Sequence, residues 1–268
     1  MKAFGVLHIA SFTGNIGDNA NHLGFRSWFE TLVENQVLWN ELEIREFYWK
    51  KKNWDKDFVE YANTFDLIII GGGNYFELWV DKSPTGTSIE IEPDLFKQIE
   101  TPVFFNALGV DPGQGATENS IKKFKTFIEA IVEKNGLITV RNDGALANLG
   151  RYVGRDILKH FHEAPDGGFF INDCIKEDIV KTNQKIKIGC NVASDMPEVR
   201  FKEFEGGVDE FSKEFAQAVV KISKQLNNCE FIFFPHIYRD LEIINNIINI
   251  SEVSSMFSIV KHLNFFTR

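Results

Sequence analysis

Asp66-Leu67-Ile68-Ile69-Ile70-Gly71-Gly72-Gly73-Asn74 is the stretch on which the fold is read. Four consecutive apolar residues, three of them β-branched, suit a strand buried on both faces of a parallel sheet. The glycines directly after it mark a turn at the carboxyl end of that strand. In open α/β sheets this is where ligands bind. Three glycines in succession cost backbone entropy, so a close approach by a ligand or by neighbouring backbone is expected there. The competing reading is a crowded turn at a domain interface.

Working outward, short apolar runs alternate with helical patterns, as βα units around a parallel sheet require. Ala3 to Ala10 reads as a first strand and Leu42 to Phe47 as a second. Pro102 to Leu108 and Leu137 to Arg141 read as further strands, and a weaker one lies just before Asp166. A helix is predicted from Asn19 to Val33, with Trp28, Phe29, Leu32 and Val33 on one face. Another carries Ile121, Phe124, Phe127, Ile128, Ile131 and Val132 together. Residues 172 to 185 are polar and lack a period, so they read as a boundary between lobes at 1–178 and 179–268. The second series places strands at Ile186–Val192, Phe231–Phe234 and Leu263–Phe266, with helices at Asp209–Leu226 and Leu241–Ile250. Three strands are few for an open sheet, so the second lobe reads as incomplete, with truncation the expected reason.

Composition removes several classes of function. A formal charge of −9 argues against a nucleic-acid partner, which demands a basic excess. Cys174, Cys190 and Cys229 are odd in number and far apart; they read as reduced thiols without a disulfide framework. No run approaches the ~20 apolar residues of a membrane span, and the amino terminus has no signal-peptide cleavage pattern. A cytoplasmic protein is expected. The 26 Phe residues predict a strongly aromatic core.

Several loops carry chemistry. Gly14-Asn15-Ile16-Gly17-Asp18 joins a strand to a helix, where unpaired N–H groups can face an anion or a sugar hydroxyl. Its plainer reading is a tight turn with Asp18 as helix N-cap. Gly72, Gly73 and Asn74 are substrate-binding candidates by position. Arg141, at a strand end, can grip a carboxylate or phosphate with its planar fork, or be tied to Asp143 or Asp166 as a structural ion pair. Asp166 is a candidate for anchoring loops or binding a sugar. His236 follows the buried strand Phe231-Ile-Phe-Phe234 and Pro235, and an imidazole there can serve as acid or base. The other histidines, His8, His22, His160, His162 and His262, carry no such signal. His160 and His162 alternate on an expected strand, but without a third ligand they do not make a metal site.

Together these segments resemble the polysaccharide pyruvyl transferase family. The resemblance rests on Gly14 to Asp18, on Asp66 to Gly73, on Val140-Arg141-Asn142-Asp143, on Asp166, and on Pro235-His236 with Asp240, in that order along nearly the whole chain. The family usually has Asp where Asn142 stands and often Ser where Ala145 stands. Its members continue with an Arg-x-His motif, of which Arg268 would supply only the Arg.

The resemblance implies two Rossmann-like parallel-sheet lobes of the GT-B glycosyltransferase type. It implies transfer of pyruvate from phosphoenolpyruvate to two hydroxyls of a surface-polysaccharide sugar, as a cyclic ketal. His236 is then the candidate catalytic residue. Gly14, Asn15, Gly17, Asp18, Gly72, Gly73, Asn74, Arg141, Asp166 and Arg268 are the candidate substrate-binding residues. No metal and no cofactor beyond the donor is required, and the acceptor is a glycan or lipid-linked saccharide. A homo-oligomer is compatible with all of this. Two other readings stay open: a nucleotide-sugar glycosyltransferase of the same architecture, and a truncated homologue that binds glycan without turnover.

Overall fold

The computed structural model describes residues 3–13, 15–173, 185–194, 196–226, 228–251 and 257–259. Gly14, Cys174, His262, Arg268 and the expected strand Leu263–Phe266 lie outside them. The chain divides into two units, one of Met1–Thr13 with Asp18–Lys176, the other of Gly14–Gly17 with Glu177–Arg268.

In chain order the first unit contains β1 (Phe4–Ala10), α1 (Ile16–Glu30), β2 (Val37–Glu43), α2 (Arg45–Tyr48), α3 (Lys56–Ala62), β3 (Leu67–Gly71) and β4 (Phe76–Glu77). It continues with α4 (Pro93–Phe96), β5 (Val103–Leu108), β6 (Val110–Asp111), α5 (Glu118–Glu133), β7 (Leu137–Arg141), α6 (Ala145–Asn148) and β8 (His162–Ala164). Six strands form one parallel sheet in the order β2-β1-β3-β5-β7-β8. The chain moves one way from β1 to β2 and the other way to β3, so the sheet's switch point lies between β1 and β3. β4 and β6 form a separate parallel pair.

Burial of β3 matches its apolar run: Ile68, Ile69 and Ile70 are all buried. The core is aromatic, as the composition predicts, with Phe76, Phe96, Phe105, Phe124 and Phe127 fully buried. Phe96 and Phe127 meet edge to face at 5.5 Å, a geometry that the ring quadrupoles favour. α5 begins where Thr117 Oγ1 accepts the Ser120 N–H at 3.0 Å, and it turns Phe124, Phe127, Ile128 and Ile131 inward.

Two expected elements are displaced. The second strand is Val37–Glu43, not Leu42 to Phe47. The alternation in Leu42-Glu-Ile-Arg-Glu-Phe47 misleads, because Ile44 and Phe47 are buried from a turn and from α2. α1 starts three residues earlier than expected and buries Asn21, His22, Gly24 and Phe25; Trp28 and Leu32, assigned to the buried face, are 41% and 62% exposed. The presumed strand through His160 and His162 also divides. His160 ends a 3₁₀ turn, and only His162 lies in β8.

The second unit holds β9 (Ile186–Cys190), α7 (Pro197–Arg200), α8 (Gly207–Gln225), β10 (Cys229–Phe233), α9 (Asp240–Ser251) and β11 (Phe257–Ile259). Its strands are parallel in the order β11-β10-β9. β11 was not anticipated from the sequence. Both long helices follow a strand, and their apolar stripes bury Ala216, Val219, Ile243, Ile244 and Ile247. No helix among the described residues is long and apolar enough to cross a membrane.

Candidate functional site

The first unit gathers its polar side chains at the carboxyl ends of β1, β3, β5 and β7. The loop after β1 is pinned from three directions. Ser11 N–H donates to Tyr75 Oη at 2.9 Å, Phe12 N–H donates to Glu43 Oε2 at 2.9 Å, and Arg45 Nη2 donates to Thr13 Oγ1 at 2.7 Å and to the Thr13 carbonyl. Arg45 Nε also donates to Glu43 Oε1 at 2.9 Å. Burial works to raise the Glu43 carboxyl, but the bonds from Arg45 and from the Phe12 N–H outweigh it and hold it below its ordinary value. Asn15, not Asp18, caps α1: its Oδ1 accepts the Gly17 N–H at 2.8 Å. Asp18 is already inside the helix's first turn. Burial raises its pKa, while the Ser11 hydroxyl, Arg45 and Arg141 pull it back.

The triglycine turn is crowded by the protein itself. A Cβ on Gly71 would lie 2.4 Å from the Asn106 carbonyl oxygen. One on Gly72 would lie 2.8 Å from Asn21 Oδ1 and 2.9 Å from His22 Nδ1, and one on Gly73 would strike the Tyr75 ring. Gly71 and Gly72 also have φ of +135° and +83°, which L side chains rarely adopt. Neighbouring protein groups, rather than a bound molecule, therefore account for these glycines on the side where a Cβ would project. Beneath the turn, His8 Nε2 lies 3.1 Å from the Gly71 carbonyl. A carbonyl only accepts, so Nε2 carries the proton. Nδ1 of the same ring then accepts from Arg26 Nε at 3.1 Å and faces Nη2 at 3.0 Å.

At the opposite side of the turn, Arg141 leaves β7 with a guanidinium that makes no hydrogen bond among the described residues. Its carboxylate neighbours are Asp166 at 3.6 Å and Asp143 at 4.0 Å, and its buried Nε has no hydrogen-bond partner among the described residues. Gly109 leaves room for it: a Cβ there would fall 2.7 Å from Arg141 Nη2 and 2.4 Å from Asn74 Oδ1. Asn74 is exposed and donates to Asp111 Oδ2 at 3.3 Å. Asp166 accepts from Asn21 Nδ2 at 2.7 Å and from Gly168 N–H at 2.8 Å. Asn74, Arg141 and Asp166 are thus grouped, with Asp18 close enough to feel Arg141. Asn21, His22, His8 and Gly109 belong to the same assembly, although the sequence reading passed over them. One signal pointed to them: α1 turns an Asn-His-x-Gly face inward where an amphipathic helix would place apolar residues.

A strained backbone adjoins this cluster. Ala107 adopts φ +45° at the register shift between Phe105 and Leu108. Its N–H donates to Thr139 Oγ1 at 2.7 Å. Strain of this kind persists only where surrounding bonds over-determine it. Across the β4–β6 pair, Glu77 stands opposite Asp111. Burial first, and the Asp111 charge second, push the Glu77 carboxyl up to about 7.

In the second unit His236 follows Pro235 after β10 and is half-buried. Its backbone N–H donates to Asp240 Oδ2 at 2.8 Å, as does that of Ile237 at 3.0 Å. The other Asp240 oxygen accepts from Ser194 N–H at 2.9 Å and Oγ at 3.2 Å. Asp240 is fully buried. It ties the loop after β9 to the loop after β10 through four donors.

No family model and no curated protein matches this sequence. Solved structures do share its fold. UDP-GlcNAc 2-epimerase from Neisseria meningitidis bound to UDP-GlcNAc aligns with a TM-score of 0.54 at 8% identity, over 98% of this chain and 74% of that one. S. aureus MnaA with UDP aligns with a TM-score of 0.54 at 9% identity, over 97% and 69%. The chain is an α/β protein with parallel sheets, as its sequence patterns predict, and is similar to the GT-B architecture that the family resemblance implies.

Proposed function

We propose that this chain is a sugar-directed group-transfer enzyme working with a phosphorylated donor in the cytoplasm. The observation that carries the reading is Arg141. It is a guanidinium held at the carboxyl end of the sheet, flanked by Asn74 and Asp166, whose buried Nε has no hydrogen-bond partner among the described residues. Leaving a buried donor without a hydrogen bond is costly, and a substrate oxygen would satisfy it.

Two classes of donor suit such a site. A nucleotide sugar is the better supported by comparison, since the similar folds include one bound to UDP-GlcNAc and one with UDP. Phosphoenolpyruvate is favoured by a separate observation, the ordered motif set from Gly14 to Asp240. On that second reading Arg141 grips the donor carboxylate in a bidentate pair. An acid protonates the donor methylene, two sugar hydroxyls add at C2, and phosphate leaves as the ketal closes. The family resemblance makes His236 one candidate for exchanging those protons.

Thermal unfolding with UDP-GlcNAc, UDP and phosphoenolpyruvate separates the donors, because a ligand bound to the folded state raises the midpoint in proportion to RT ln(1 + [L]/Kd). Phosphate release from phosphoenolpyruvate in the presence of glycan acceptors tests turnover. Arg141→Gln should abolish the stabilisation. A midpoint unmoved by every donor would sink the transferase reading, and binding without turnover would leave a glycan-binding homologue.

A further inference from the structure

The second unit contains a cavity of about 390 Å³ that no part of the reading above uses. It opens at the carboxyl ends of β9 and β10. Ser194 lines it from the loop after β9, Asp209 from the first turn of α8, Arg239 from the turn just before α9, and Glu242, Ile243 and Asn246 from one stripe of α9. That volume lies within the ~300–1,000 Å³ of ordinary small-molecule sites.

We propose that this cavity binds a neutral ring bearing a vicinal diol, either a hexose of a glycan or the ribose of a nucleoside. The charges select that class. Two carboxylates, Asp209 and Glu242, line it with a single guanidinium, Arg239; the carboxylates offset the positive amino ends of α8 and α9 and so favour hydroxyls over a doubly charged phosphate. A hydroxyl both donates and accepts: it can donate to either carboxylate in a charge-assisted bond and accept from Arg239 or Asn246. Buried Ile243 supplies an apolar floor for the C–H face of the ring.

The lip of the cavity is fixed before any ligand arrives. Fully buried Asp240 holds Ser194 through both its N–H and its hydroxyl, at 2.9 and 3.2 Å. The same carboxylate holds the turn that leads into Arg239, through the His236 and Ile237 N–H groups. Two loops that would otherwise move separately are thereby locked, so less ordering cost opposes binding.

The choice of a saccharide rests on the sugar-directed reading above; the cavity and its charge balance do not. Saturation-transfer NMR on the full chain with methyl β-D-galactoside, methyl β-D-glucoside and uridine provides the test, with inorganic phosphate as a separate arm. At least one diol-bearing probe should bind, and Glu242→Gln or Asp209→Asn should weaken it about tenfold or more, the loss expected when a charge-assisted bond disappears. Both side chains are exposed, so these variants should fold normally, which circular dichroism verifies. Competition by uridine identifies ribose as the source, and its absence identifies a hexose. Equal binding by wild type and both variants, no binding by any diol, or displacement by inorganic phosphate would each overturn the proposal. Loss of galactoside binding in Arg141→Gln alone would refute the cavity assignment while leaving the sugar-directed reading intact.

Discussion

Gly24→Ala sets helix propensity directly against tertiary packing. Gly24 lies in the interior of α1, where alanine is preferred over glycine by about 1 kcal/mol. On propensity alone the variant should be more stable. In the fold, however, the new Cβ would fall 2.1 Å from the Gly167 carbonyl oxygen and 3.0 Å from the Ile171 nitrogen. These are backbone atoms and cannot rotate away. The opposing surface is equally tight, since a Cβ on Gly167 would lie 2.3 Å from the Asn21 carbonyl. Overpacking a methyl usually costs about 1–3 kcal/mol, and contact with backbone belongs at the upper end. Subtracting the propensity gain leaves a net loss of about 2 kcal/mol, or roughly 4–8 °C for a unit of this size. Urea unfolding at pH 7 measures it, with Gly150→Ala as control because its Cβ would meet only Leu158 Cδ1 at 3.5 Å. The strain should also loosen the bond from Asn21 to Asp166, reducing any donor-induced stabilisation. A Gly24→Ala midpoint equal to or above that of the wild type would show that α1 does not lie against the Gly167 turn.

Glu77→Gln should stabilise the first unit above neutrality. Its folded pKa is raised, so its favourable contribution is complete below about 4.5 and is lost as pH rises through about 7. The amide should therefore gain about 1–2 kcal/mol at pH 8, after allowance for partial solvent access, and little at pH 5; equal gains at both would refute the carboxyl pairing. Acid should act on the two buried histidines in the opposite sense. Burial lowers His22 from 6.5 to about 4 and His8 well below its ordinary value, with Arg26 adding to both and His22 also lowering His8. Stability present above pH 6.5 should then be lost down to about pH 4, at most roughly 3 kcal/mol for His22. A flat denaturation midpoint across that window would contradict the buried pair, and His22→Gln should remove part of the slope. Asp240→Asn would place an amide N–H₂ among donors that require an acceptor. Hydrogen exchange should show the Ser194, His236 and Ile237 amides losing protection, with about 2–3 kcal/mol lost from the second unit; unchanged protection would mean that the carboxylate does not hold those loops.

Local physics made much of the fold legible. β3 was readable because a strand buried on both faces must be apolar throughout, and α5 because its Phe and Ile residues recur at the helical period. Where periodicity was ambiguous, the reading slipped. Leu42-Glu-Ile-Arg-Glu-Phe47 alternates like a strand, but only tertiary packing buries Ile44 and Phe47 from a turn and a helix. The very short β4 and β6 carry no period at all. The candidate site divides in the same way. Arg141, Asp166 and the triglycine turn announce themselves by residue type and by position after a strand.

Local sequence patterns were enough to specify the class of structure, parallel α/β, and the strand ends at which chemistry-bearing residues stand. Tertiary structure alone decided which side chains meet. It placed Asn21 on Asp166 across 145 positions of chain, set His8 beneath Gly71, and left Arg141 over Gly109 without a hydrogen bond among the described residues. Strand and helix propensities act over a few neighbouring residues, whereas these contacts depend on how the sheet orders its strands, which no local pattern encodes.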